Sequence, residues 1–140
     1  MINTEPQDKN KVGGETPHGY ETILVVDDDK DVRSSVVQIL KRQGYQVLEA
    51  ASGAEALLIC ERQEVRIPLL ITDVVMPGVS GRDLAQRLLL MHPEMKILFM
   101  SVYADDSIVY YGILEERISF IQKPFSIDRL VEKVREILDK

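Results

Sequence analysis

Cysteine is almost absent from this chain of 140 residues: Cys60 stands alone, which excludes an internal disulfide. Long apolar runs are also missing. None approaches the length of a signal-peptide core or a membrane span, so a cytoplasmic location without direct membrane insertion is expected. Basic side chains are the minority, 17 against 23 acidic, and the net charge of -6 disfavours nonspecific attraction to nucleic acid or anionic lipid. No nucleic-acid partner is expected. What remains, 45% hydrophobic and 29% charged residues, is an ordinary globular composition. A chain of this length suffices for one core, burying roughly two thirds of its unfolded surface.

Residues 1–20 read as a flexible tether, polar and punctuated by Pro6, Gly13, Gly14, Pro17 and Gly19. His18 falls in this tether, where an isolated histidine is expected to be solvated. The domain spans residues 21–140. Its first apolar run, Thr22 to Val26, ends in Asp27, Asp28 and Asp29. A helix begins near Lys30 with Asp29 as its cap, carries Val32, Val36, Val37, Ile39 and Leu40 on one side, and stops at Gly44.

The unit then repeats. Tyr45 to Glu49 reads as a strand, and Ser52 with Glu55 forms a capping box before a helix bearing Ala56, Leu57, Ile59 and Cys60. On that helix Cys60 reads as a packing residue. Ile67 to Thr72 is wholly apolar, the pattern of a strand covered on both faces, and ends at Asp73. After Met76-Pro77-Gly78, Ser80 caps a helix with Leu84, Leu88 and Met91 inward; His92 beside Pro93 reads as its end. Lys96 to Met100 is the fourth strand, followed by a weaker helix over about Asp105 to Leu114 with Tyr110 and Tyr111. Ile118 to Ile121 is the fifth, and Ser126 opens a last helix with Ile127, Leu130, Val131, Val134, Ile137 and Leu138.

Five alternating units predict an α/β fold. The expected form is a flavodoxin-like, doubly wound five-stranded parallel sheet, order 2-1-3-4-5, with five helices. In that fold the functional crevice lies at the carboxyl ends of the strands, where strands one and three part. Asp27 and Asp28 follow strand one and Asp73 follows strand three, so three carboxylates meet there. Clustered anions need protons or a cation, and an all-oxygen site suits Mg2+. Ser101 at the end of strand four and Lys123 after strand five add a hydroxyl and an ammonium, groups that neutralise a phosphoryl group in transfer. Singly, each reads more simply: a turn aspartate, a helix cap, a loop charge. Their joint occurrence along one sheet edge favours function.

Four segments carry a resemblance: Ile23 to Asp29 (ILVVDDD), Thr72 to Gly78 (TDVVMPG), Phe99 to Ser101 (FMS) and Gln122 to Phe125 (QKPF). In order and separation they resemble the signatures of response-regulator receiver domains of two-component systems, over roughly Thr22 to Lys140. The wording around them is similar to receivers at the C-terminal end of hybrid sensor histidine kinases, and Met1 fits a stand-alone receiver equally. The resemblance implies that Asp73 accepts a phosphoryl group from phosphohistidine. It also implies that Asp28 ligates Mg2+ directly, that Asp27 acts through water, and that Val75 offers a backbone carbonyl.

By the same resemblance Ser101 and Lys123 bind the phosphoryl oxygens, the Lys123–Pro124 bond is cis, and Phe120 is the aromatic switch beside Ser101. Simple core packing is the plainer reading of Phe120, which lacks a tyrosine's hydroxyl. Phosphorylation would shift the surface of the fourth helix, fifth strand and fifth helix between pre-existing states. The implied partners are a histidine kinase or a histidine phosphotransfer domain, with a homodimer through the switched surface as a further contact. The implied chemistry is self-phosphorylation and dephosphorylation of a signalling domain, without an independent enzyme activity. Val102, where a small residue is usual, is expected to crowd the phosphate pocket or hinder the fourth helix. Bulky, apolar Tyr103 and Val75 imply a long-lived acyl phosphate.

Three other readings differ at identifiable residues. A Mg2+-dependent phosphohydrolase would use Asp27 as nucleophile with Asp29 beside it, but the chain lacks room for a substrate-gating cap. A flavin-binding protein needs a Ser/Thr/Gly phosphate cradle where this chain has Asp27, Asp28 and Asp29. A scaffold-only receiver would lack chemical residues that are all present.

Overall fold

The computed structural model describes residues 19–62, 66–102 and 117–140. Five parallel strands, β1 (Thr22–Val26), β2 (Gln46–Ala50), β3 (Leu69–Asp73), β4 (Lys96–Ser101) and β5 (Ile118–Gln122), form one sheet in the order β2-β1-β3-β4-β5. This is the expected doubly wound order. Four helices are described: α1 (Lys30–Arg42), α2 (Gly53–Arg62), α3 (Gly81–Met91) and α4 (Ile127–Leu138). The helix expected over Asp105 to Leu114, with Tyr110 and Tyr111, lies outside the described residues, as do Tyr103, His18 and residues 1–18.

Two cores flank the sheet. The even residues of β1 and β3, Leu24, Val26 and Leu70, join Ile97 and Phe99 of β4 and the inner stripes of α2 and α3. The odd residues, Ile23, Val25, Leu69 and Ile71, join Leu98, Met100 and Ile121 and the stripes of α1 and α4. That is the period-two consequence of a sheet covered on both sides. Each fully buried leucine or isoleucine contributes about 1.5–3 kcal/mol.

Local chemistry sets the helix ends. Asp29, Ser80 and Ser126 each accept backbone N–H bonds at the starts of α1, α3 and α4. Ser52 Oγ accepts from Glu55 N at 3.1 Å, while Glu55 Oε1 reaches back to Ala51 N at 2.8 Å, so the predicted capping box closes one residue early. Gly44 leaves α1 at φ +100°, and His92 caps α3. Lys96 Nζ donates to the carbonyls of Ile137 and Lys140 at 3.0 Å each, satisfying the end of α4. Cys60 is buried, and burial pushes its thiol pKa up, as suits a packing residue.

One inner-face assignment needs correction. Met91 is 48% exposed because α3 ends beside it; Met95, after the following turn, is wholly buried in that core instead. Ile127 is 55% exposed because, as the first residue of α4, it precedes the stripe formed by Leu130, Val131, Val134 and Ile137. The first contacts of the fold also precede Glu21: Gly19 N donates to Gln43 O at 3.0 Å, and its α-carbon lies against the Tyr45 ring.

Candidate functional site

Register builds the site. Val26 pairs with Thr72 across β1 and β3, so Asp27 and Asp73 leave their strands side by side. Asp73 pairs with Met100, one residue short of Ser101, and Ser101 pairs with Gln122, one residue short of Lys123. The sheet rim therefore rises stepwise from the aspartates to Lys123. Alternation puts Asp27, Asp73 and Lys123 on the face of Val25, Ile71 and Ile121, and Ser101 on the face of Phe99 and Phe120.

Lys123 Nζ lies 3.2 Å from Asp27 Oδ2 and 3.5 Å from Asp73 Oδ1, one cation shared by two carboxylates. Asp27 is wholly buried, and its Oδ1 accepts from Asp29 N at 2.8 Å, so both its oxygens are engaged. Asp73 is partly open, its side chain 20% exposed, with Oδ1 accepting from Val74 N at 3.0 Å. Burial raises its pKa above the ordinary aspartate value; Asp27 pushes the same way, and Lys123 opposes both.

Asp28 completes the acid cluster from the solvent side: one oxygen from each of Asp27, Asp28 and Asp73 lies within 4.8 Å of the others. Neighbouring oxygens around Mg2+ sit about 3 Å apart and opposite ones about 4 Å. The cluster is of the size such a shell occupies when one member acts through water, and the donors are the hard oxygens the ion prefers. The residues fit the cation.

The remaining expected residues flank this cluster. Ser101 is 4% exposed, and its carbonyl accepts from Lys123 N at 2.7 Å, tying β4 to the loop that carries the lysine. The Lys123–Pro124 bond is cis. Phe120 packs on Phe99 with ring centroids 5.6 Å apart, partly buried against the core. Val75 is 71% exposed. Val102 is 56% exposed and walls a groove of about 750 Å³ beside Lys123, with Val32, Val36, Ile39, Phe125 and Ile127.

Three supporting residues were not anticipated from sequence. Thr72 Oγ1 donates to the Asp73 carbonyl at 2.9 Å, and Gly81 N donates to Val74 O at 2.9 Å. Arg33 Nη1 donates to the Asp27 carbonyl at 2.7 Å. The available signal for Arg33 was its place in the first turns of α1, because helical side chains lean back toward the helix N-terminus and so over the end of β1.

The sequence and the fold match known proteins. The family described as "Response regulator receiver domain" matches residues 23–135. The sensor kinase CckA of Brucella abortus is 39% identical over 122 residues, covering 87% of this chain and 13% of that protein. The response regulator receiver protein CpdR of the same organism is 34% identical, covering 83% of this chain and 95% of that one. A crystal structure of the receiver domain of hybrid histidine kinase CckA superposes with a TM-score of 0.71 at 37% identity, covering 84% of this chain and 98% of that one.

Proposed function

This chain belongs to the response regulator receiver domain family of two-component phosphorelays, and on that premise we propose that Asp73 is its phosphoacceptor. The carrying observation is the partly open Asp73 carboxylate, clustered with Asp27 and Asp28 and sharing the Lys123 ammonium with Asp27. Asp73 attacks phosphorus, the P–N bond of a phosphohistidine breaks, and its electron pair returns to the imidazole. Lys123, already 3.5 Å from Asp73, pairs with the phosphoryl oxygens as they arrive. The Ser101 hydroxyl donates to the same group.

Mg2+ at the acid cluster would neutralise charge as the phosphoryl group transfers. Asp28 and Asp73 would hold it directly, with the backbone carbonyl of Val75. Asp27, both oxygens engaged, contributes through water.

The donor is a histidine kinase or histidine phosphotransfer domain in the cytoplasm. The apolar groove beside Lys123 supports a helical donor, since amphipathic helices seat in such grooves. No described helix is long and apolar enough to cross a membrane. Ser101 and Phe120 share a sheet face, which supports coupling of phosphorylation to the ring's packing. The switched surface comprises the stretch after β4, β5 and α4, and it also offers a homodimer contact. The domain catalyses its own phosphorylation and dephosphorylation, with no nucleic acid bound. Whether it acts alone or within a hybrid kinase sets the route of the phosphoryl group and leaves this chemistry unchanged.

The phosphohydrolase reading would make Asp27 the nucleophile, and its complete burial with both oxygens engaged disfavours attack. Intact mass after acetyl phosphate and Mg2+ decides: wild type gains about 80 Da, one phosphoryl group, and Asp73→Asn gains nothing. An adduct retained by Asp73→Asn, or a wild type that responds neither to acetyl phosphate nor to beryllofluoride, would overturn the assignment.

A further inference from the structure

Behind the acid cluster, a cation reaches the backbone that carries it. The Arg33 guanidinium spans two strand ends: Nη1 donates to the Asp27 carbonyl at 2.7 Å, and Nε donates to Glu49 Oε1 of β2 at 3.2 Å. Its side chain is only 14% exposed. The carbonyl it binds belongs to the peptide whose N–H is that of Asp28. Fixing this oxygen fixes the peptide plane, and with it the direction in which Asp28 leaves the strand.

We propose that Arg33 is a positioning residue for the cation site, locking the Asp27–Asp28 peptide so that the Asp28 carboxylate converges on Asp73, with Glu49 orienting the guanidinium. This rests on the reading of the acid cluster as a Mg2+ site. Asp27 is anchored without Arg33, through Asp29 N and Lys123. Asp28 is exposed, and among the described residues the Arg33 bond is the side-chain restraint on its peptide. Outer contacts of this kind orient metal ligands in proteins generally.

Three roles for Arg33 predict different signs. As a bare positive charge near the site, it would repel Mg2+, and its loss would tighten binding. As a packing residue, its loss would lower the melting temperature and leave affinity alone. As a positioning residue, its loss weakens Mg2+ binding although a repulsive charge has gone.

The test is calorimetric Mg2+ titration of wild type, Arg33→Met, Arg33→Lys and Glu49→Gln, with thermal unfolding in EDTA beside it. Arg33→Met is expected to raise the Kd for Mg2+ about tenfold, the low end for loss of an outer contact. Arg33→Lys keeps the charge and loses the fork, and gives a smaller rise. Glu49→Gln, with a weaker hold on the guanidinium, also gives a smaller rise. An unchanged or lower Kd in Arg33→Met overturns the proposal; if that variant does not fold, an unchanged Kd in Arg33→Lys does so. A wild type that binds no Mg2+ removes the cation reading itself, and the role of Arg33 with it.

Discussion

Gly81, the first residue of α3, lies so close to the carbonyl oxygen of Asp73 that a methyl group on its α-carbon would overlap that oxygen. The contact seats the start of α3 directly on the Asp73 backbone. Helix propensity alone would favour alanine here, so the close approach is the physical reason for glycine.

Gly81→Ala must therefore push α3 away from β3 or tilt the Asp73 peptide. The expected cost is about 1–3 kcal/mol, as for overpacking in a filled core, read from urea unfolding. The same displacement moves the Asp73 carboxylate relative to Lys123, so phosphorylation by acetyl phosphate slows as well. Gly78→Ala is the control: its φ of +78° carries a backbone penalty, yet nothing lies within 4 Å of the added carbon. It should destabilise without comparable loss of phosphorylation.

Asp73 gives a pH signature in metal-free protein. Burial, reinforced by Asp27, raises its pKa in the fold, so ionising it there is harder than in the unfolded chain. Wild type then loses stability as pH rises through the ordinary aspartate range, and Asp73→Asn escapes that loss. In EDTA the variant should be the more stable protein at pH 7, with the gap closing toward pH 3. Mg2+ should reverse the order by stabilising wild type alone. Equal melting temperatures at both pH values in EDTA would contradict the prediction.

Much of this was legible in the chain because strands and carboxylates announce themselves. Apolar runs ending in Asp27, Asp73 and Ser101 announced the sheet and marked its candidate edge, since period two fixes which face each terminal side chain takes. Met91 was misassigned because a helical stripe says nothing about where the sheet beneath it ends. Gly81, Thr72 and Arg33 act through backbone carbonyls, and a bond to a carbonyl demands no particular residue type at its other end, so it leaves no motif. The salt bridge between Glu21 and Arg135 joins residues far apart in sequence, and no local pattern marks which distant charges will pair.

That pair ties the start of β1 to α4. Arg135 Nη2 donates to Glu21 Oε2 at 2.8 Å and Nη1 to Oε1 at 3.3 Å, with Asp139 on the same guanidinium and the Tyr45 ring 6.0 Å from it. The Arg135 hydrogen bonds lower the Glu21 pKa from its ordinary value of 4.5. A depressed acid stabilises the fold above its unfolded pKa and ceases to do so as pH falls through the folded one. Glu21→Gln should cost about 1 kcal/mol at pH 7, and the difference from wild type should fade below pH 4.5. A constant difference across that range would mean that shape, and not charge, holds the contact.

Val75 bears on the lifetime of the phosphorylated state. It follows Asp73 by two residues and is 71% exposed, and the proposed reading sets its apolar isopropyl group beside the open side of the proposed acceptor. Hydrolysis of an acyl phosphate needs an in-line water, and a branched apolar group neither orders nor admits one as a polar side chain does. The wild-type phosphoprotein is expected to persist for minutes or longer after donor removal, a slow turnover on the enzymatic scale. Val75→Asn, which supplies a donor and an acceptor at the same place, should shorten the half-life several-fold while leaving the melting temperature within about 0.5 kcal/mol equivalent, as for exposed substitutions. The decay of the phosphorylated mass in the two proteins is the measurement. A wild-type half-life of seconds, or no acceleration in Val75→Asn, would show that water reaches the phosphoryl group by a path this side chain does not guard.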